Sequence, residues 1–117
     1  MASPVVHWEI GGHDLDALAS FYRELFGWEA TGFDDDYRLV NLEEGVGGGL
    51  MRCPNGVPAY VTIYVAVDDL DATLTKVKDL GGTPLVPPTP IPGVGAFALF
   101  QDPEGTTIGI LHPTSGG

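Results

Sequence analysis

The chain has 117 residues, 12.3 kDa and 44% hydrophobic residues, the material of one compact domain rather than of a multi-domain enzyme. Sixteen acidic against five basic residues leave a net charge of -11, a field that repels nucleic-acid phosphates and gathers cations. No apolar run approaches the roughly 20 residues of a membrane span, Met1-Ala2-Ser3-Pro4 lacks the blocks of a signal peptide, and the single Cys53 forms no intrachain disulfide, so a cytoplasmic location is expected, with neither nucleic acid nor membrane as partner.

Residues 5–10 alternate apolar and polar with β-branched character and end at Gly11-Gly12, the pattern of a strand and a turn. Asp14 then stands as an N-cap, and Leu15, Leu18, Tyr22, Leu25 and Phe26 recur at helical spacing until Gly27. Residues 37–42 and 49–52 have strand character around the turn signal Glu43-Glu44-Gly45, which predicts a hairpin. After the link Pro54-Asn55-Gly56-Val57-Pro58 the order begins again. Residues 60–67 read as a strand and residues 69–80 as a helix closed by Gly81-Gly82. The five-proline stretch from Pro84 to Gly95 reads as a loop, and residues 97–100 and 107–111 as strands around the turn Asp102-Pro103-Glu104-Gly105. Residues 114–117 read as a flexible tail.

The two halves are related. A shift of 55 residues carries Asp14-Leu15-Asp16-Ala17 onto Asp69-Leu70-Asp71-Ala72, Val6 onto Val61, Leu25 onto Leu80 and Gly27 onto Gly82. Later in each half the shift becomes 60: Leu39 falls on Leu99, Glu44-Gly45 on Glu104-Gly105, Gly49 on Gly109 and Leu50 on Ile110. The extra five residues match the longer loop after the second helix. Strand, cap, helix and stop coincide, so the chain reads as a duplicated module, about 5–53 and about 59–113, within a single domain.

In this arrangement the chain resembles the vicinal oxygen chelate superfamily, which holds glyoxalases, extradiol dioxygenases and bleomycin-resistance proteins. The residues that carry the resemblance are His7 with Asp14-Leu15, the helix end Phe21-Tyr22-Arg23-Glu24-Leu25-Phe26-Gly27-Trp28, the second start Val67-Asp68-Asp69-Leu70-Asp71, and Asp102-Pro103-Glu104-Gly105 followed by Ile108-Gly109-Ile110. The resemblance implies an α+β fold of two tandem βαβββ modules. Their mostly antiparallel strands curve into a cup, with helices outside, usually in a homodimer. In metal-using members it also implies four ligands on the cup face, one from the first and one from the last strand of each module. Those positions fall on His7, Thr62, Gly49 and Gly109. One imidazole among four positions cannot hold a divalent transition ion, which takes three or four donors, so no metal and no cofactor are expected.

Strand alternation places His7 and Glu9 opposite Val6, Trp8 and Ile10, and Tyr60, Thr62, Tyr64 and Ala66 opposite Val61, Ile63, Val65 and Val67. The apolar set is expected under the helices, leaving His7, Glu9, Thr62 and Tyr64 to line the cup. His7 with Glu9 reads either as a general base or cation-recognising pair, or as a histidine hydrogen-bonded within the sheet or at an interface. A stray metal recruited by the two is a third possibility. Gly49 and Gly109 read as the floor of a roomy cavity, or as a bulge or crowded crossing. Met51 and Leu111 would flank the gaps, and Trp28, past the helix stop, would edge them, whereas Phe21, Tyr22 and Phe26 read as core. Asp34-Asp35-Asp36 reads as a solvated turn, Gly45 to Gly49 as a flexible rim, His13 and His112 as surface residues, and Cys53 as no nucleophile.

Two functions follow. One is a metal-independent binding protein that sequesters a small cationic or aromatic molecule, as bleomycin-resistance proteins do. The other is an isomerase or lyase with His7 as base and Glu9 or Tyr64 as partner. A metal-dependent glyoxalase or dioxygenase ranks third, and a partner-binding domain whose cup holds nothing is the bland alternative.

Overall fold

The computed structural model describes residues 2–92 and 94–113, so the tail expected at 114–117 lies outside the described residues. Ten elements follow in chain order: β1 (Val5–Gly12), α1 (Leu15–Phe26), β2 (Ala30–Asp34), β3 (Tyr37–Val40), β4 (Gly48–Arg52), β5 (Tyr60–Ala66), α2 (Leu70–Asp79), β6 (Thr83–Ile91), β7 (Gly95–Gln101) and β8 (Thr107–Pro113). This is an α+β fold of two βαβββ modules in tandem. Two compact units divide it, one of residues 6–62 and one of residues 63–113 with residues 2–5. β5 runs from the first into the second.

In the first unit the strand order is β2-β3-β4-β1. β1 and β4 run parallel, with Glu9 opposite Gly49, and β3 and β4 antiparallel, with Leu39 opposite Gly49 and Tyr37 opposite Met51. The second unit repeats this as β5-β8-β7-β6. There Tyr64 stands opposite Gly109 in the parallel pair, and Leu99 opposite Gly109 and Phe97 opposite Leu111 in the antiparallel one. The shifts of 55 and 60 residues are therefore reproduced in the hydrogen-bonded register.

Both helices start the same way. Asp14 and Asp69 are extended, and their carboxylates accept from Ala17 N at 3.0 Å and Ala72 N at 2.9 Å, satisfying a backbone donor that the first turn leaves open. α1 stops at Gly27, left-handed at φ 73°, whose N–H donates to Arg23 O, a conformation a side chain disfavours. Leu15, Val40 and Leu50 are fully buried in the first unit, with Trp8, Ile10, Leu18, Tyr22 and Trp28 packed around them. In the second, Leu70, Leu74, Ala98 and Ile110 form the core, with Val65, Val67 and Phe100. Each buried aliphatic chain contributes about 1.5–3 kcal/mol.

Two expectations are corrected, and one strand is added that the sequence did not mark. The proline-rich stretch is not a loop for most of its length: residues 83–91 form β6, paired antiparallel with β7 and interrupted by register shifts between Pro84 and Val86 and between Val86 and Thr89. Proline cannot donate to a ladder, but on a strand with a neighbour on one side only its missing N–H costs nothing where it faces outward. Residues 30–34, with no strand signal of their own, form β2 because β3 offers them an antiparallel partner. Val6 and its repeat mate Val61, 70% exposed, are surface residues, as is Ile63. The helix-side clusters take Trp8 and Ile10 from β1, and Val65 and Val67 from the end of β5 and beyond, so the cores form under the later parts of these strands. Among the described residues no helix is long and apolar enough to cross a membrane.

Candidate functional site

The face of the first unit opposite its helix-side core carries ionisable and aromatic groups. It exists because β1 alternates strictly: Trp8 and Ile10 enter the core cluster, which turns His7, Glu9 and Gly11 to the other side. β4 contributes Gly49 and Met51, β3 contributes Tyr37, and β5 contributes Tyr60.

Glu9 is 6% exposed and accepts a hydrogen bond from the Tyr60 hydroxyl at 2.5 Å. The same hydroxyl stands 3.4 Å from Met51 Sδ. His7 Nε2 and the Tyr37 hydroxyl are hydrogen-bonded at 2.7 Å, with ring planes 18° apart. Burial pulls the His7 pKa below its ordinary 6.5, and the neighbouring Glu9 carboxylate pulls it back up without cancelling the shift. At neutral pH the imidazole is therefore neutral, able to accept a proton or a hydrogen bond.

The glycines on this face do not open a void. A Cβ at Gly49 would collide with the hydroxyl end of Tyr37, and one at Gly11 with the ring of Tyr60. In the second unit a Cβ at Gly109 would collide with the Tyr64 ring. The roomy-cavity expectation at Gly49 and Gly109 is thus corrected: aromatic rings lie on the bare backbone and fill the volume.

Of the residues singled out from sequence, His7, Glu9, Gly49 and Met51 come together on this face. Thr62 is buried in the same unit. Tyr64, 8% exposed, lies over Gly109 in the second unit and meets Phe97 edge-on at 6.4 Å, while Leu111 stands opposite Phe97 in the β7–β8 ladder. Trp28 is corrected. It meets Trp8 at 4.6 Å with the rings tilted and stacks on Tyr22 at 5.3 Å within the helix-side cluster. Phe21 and Phe26, expected in the core, are more than half exposed on α1.

Tyr37 and the pairing of Tyr60 with Glu9 escaped sequence reasoning. The available signal was an aromatic residue on the strand beside each glycine, which could have flagged a ring over bare backbone. The acidic run closes the β2–β3 turn, with Asp36 N donating to Asp34 Oδ1 at 2.8 Å and Arg52 pairing with Asp36 at 3.3 Å. On the opposite, helix-bearing side, a cleft of about 320 Å³ is lined by Asp16, Ser20, Arg23, Glu29 and Arg38, with Arg38 paired to Asp16.

The sequence model of the Glyoxalase/Bleomycin resistance protein/Dioxygenase superfamily matches residues 5–110. The chain belongs to that superfamily. It is 35% identical over 103 residues to CFP32 of Mycobacterium tuberculosis, whose name makes it a candidate glyoxylase, covering 84% of this chain and 40% of that protein. It is 32% identical over 123 residues to the anthracycline biosynthesis protein DnrV of Streptomyces peucetius, covering 87% of this chain and 44% of the other. The chain thus spans less than half the length of these relatives. The fold is shared with the hypothetical protein BH1468 from Bacillus halodurans, at TM-score 0.79 and 13% identity, covering 100% of this chain and 99% of that one.

The superfamily's metal-using members pose the question of a metal at the four ligand positions. The donors do not fit one. His7 is engaged by Tyr37, the place of a side chain at Gly49 is taken by the Tyr37 hydroxyl end, and that at Gly109 by Tyr64. Thr62 offers a neutral hydroxyl, which is not among the usual ligands of a transition ion. Among the described residues no three His, Cys, Asp or Glu side chains gather closely enough to hold a metal.

Proposed function

We propose that this member of the superfamily is a metal-independent protein that binds a small cationic or aromatic molecule on the face built from His7, Glu9, Tyr37, Met51 and Tyr60. The observation that carries the reading is the buried Glu9, hydrogen-bonded to Tyr60 and set beside a neutral His7 among aromatic rings. A buried carboxylate is a strong recognition element for a cation, and glycine-backed tyrosines suit a planar ring. The net charge of -11 would speed the approach of a cation, an effect that salt weakens. The relative named for anthracycline biosynthesis is in keeping with an aromatic ligand. The protein is proposed to act as a homodimer, and the exposed Phe21, Leu25 and Phe26 on α1 supply apolar surface for an interface.

A second reading is favoured by one observation. A His7 held neutral by burial is poised as a general base, which supports an isomerase or lyase with Glu9 as its partner.

The test begins with protein purified without a metal-chelating tag. Elemental analysis before and after incubation with nickel, zinc, iron and manganese is expected to find no stoichiometric ion, with native mass giving a dimer. Titration with cationic antibiotics and aromatic metabolites, followed on the His7 imidazole signals by NMR, is expected to find a ligand that Glu9→Gln weakens. One ion per chain would overturn metal independence, and a screen that never moves His7 would overturn the binding reading. Turnover of a bound ligand that disappears in a folded His7→Ala protein would establish the enzyme instead.

A further inference from the structure

The cleft on the helix-bearing side of the unit of residues 6–62 gathers charges of both signs. On α1, Asp16, Ala19, Ser20 and Arg23 follow one another at the three- and four-residue spacing that sets side chains on one face of a helix. Arg38 joins them from β3, where alternation turns it away from the side that holds Tyr37. Glu29 and Ala30 line the cleft where β2 begins. The sheet side leaves room because its residues are small. Gly32, two residues after Ala30 and opposite Arg38 in the β2–β3 ladder, has nothing within 4 Å of the place its Cβ would take. A volume of about 320 Å³ suits a small organic molecule.

Two of the chain's five basic residues line this cleft, and neither guanidinium is fully engaged. Arg38, its side chain 29% exposed, donates to Asp16. A guanidinium carries five N–H donors, so most of those on Arg38 stay open. Arg23 has Glu24 at 4.0 Å as its ion-pair partner, too far for a hydrogen bond. Of the two carboxylates, Asp16 is taken by Arg38, whereas Glu29 forms no hydrogen bond or ion pair among the described residues. The cleft thus offers open donors on two arginines and one open carboxylate.

Its four charges sum to zero within a chain of net charge -11. A simple anion is drawn by the arginines and repelled by the rest of the chain, and a simple cation meets two guanidiniums beside its one open carboxylate. A molecule that carries both a carboxylate and an ammonium group avoids both penalties. Its carboxylate matches the planar, forked donors of arginine, and its ammonium matches Glu29.

We propose that this cleft binds a small zwitterion of the amino-acid type, its carboxylate between Arg23 and Arg38 and its ammonium at Glu29, with the Ser20 hydroxyl as a further polar contact. The cleft lies on the opposite side of the sheet from His7 and Glu9, and its occupancy is independent of the function proposed for them.

The experiment uses the full chain at low salt, where charge recognition is least screened. The probes are glycine, β-alanine, 4-aminobutyrate and 6-aminohexanoate, zwitterions of increasing length, followed by calorimetry and by NMR of the arginine side chains and the His7 imidazole. At least one is expected to bind with a Kd of about 1 mM or below, moving the Arg38 signals and leaving those of His7 in place. The carboxylic acid and the amine of the same length, each with one of the two groups, are expected to bind at least about tenfold more weakly. Arg23→Gln is expected to weaken the zwitterion about tenfold, and Glu29→Gln to reduce it to the affinity of the matched acid. Both substitutions fall on exposed side chains, so the fold is retained. Failure of all four zwitterions to bind, a matched acid or amine that binds as tightly, or variants that bind like wild type would each overturn the proposal. Signals that move at His7 and not at Arg38 would place the ligand on the other side of the sheet and overturn it as well.

Discussion

Removal of the Tyr60 hydroxyl isolates the interaction at the centre of the candidate site. Tyr60→Phe keeps the ring over Gly11 and removes the hydroxyl that donates to Glu9 and touches Met51 Sδ. Glu9 is 6% exposed and its Oε2 accepts from that hydroxyl at 2.5 Å, short enough for a charge-assisted bond. A hydrogen bond to a charged group contributes about 1.5–3 kcal/mol, and the accepting group, left in the protein, is then short of a partner it cannot fully replace with water. The expected loss is about 2 kcal/mol, equivalent for a chain of this length to a fall in Tm of about 6–10 °C. The assay is urea unfolding at neutral pH of wild type, Tyr60→Phe, Glu9→Gln and the double variant, because both residues have further interactions and only the cycle separates their mutual term. A coupling of about 1–2 kcal/mol is expected. If Tyr60→Phe loses less than about 0.5 kcal/mol, or the cycle closes without coupling, the account of Glu9 as a carboxylate held by Tyr60 is wrong.

Acid sensitivity is expected to trace in part to His7. Its folded pKa lies below 6.5 because burial disfavours the imidazolium, so the unfolded chain takes up the proton first; stability is intact above the unfolded value and is lost as pH falls through it toward the folded one. Unfolding at about pH 7.5 and about pH 5.5 should show wild type losing more than His7→Gln, and equal losses would refute this. Gly109→Ala should destabilise by about 1–3 kcal/mol because its Cβ enters the buried Tyr64 ring, and Gly49→Ala by less because half-buried Tyr37 can move aside. A denaturation series in which Gly109→Ala is silent would contradict that ring placement. Asp14→Ala and Asp69→Ala should each cost about 1 kcal/mol through the lost cap to Ala17 N or Ala72 N, and Asn at either site should restore most of it by thermal melt.

What the sequence determined by itself is local and periodic. Asp14 and Asp69 declare the helix starts because a short carboxylate in front of an apolar repeat has one good use, the open N–H groups of the first turn. Alternation in β1 sorted Trp8 and Ile10 from His7 and Glu9 because a strand turns successive side chains to opposite faces. The repeat predicted even the ladder register, with Leu39 against Gly49 and Leu99 against Gly109, since two copies of one module close in one way.

Tertiary structure alone decided which side chain meets which across distant strands. Nothing near Gly49 in the chain says that a tyrosine twelve residues earlier would cover it, nor that Tyr60 would reach Glu9 fifty-one residues before it; those contacts depend on register. β6 escaped because its prolines suppress strand propensity while its single neighbour, β7, still pairs with it. Val61 ended at the surface despite its apolar pattern because alternation names a face and says nothing of how far along the strand a core extends.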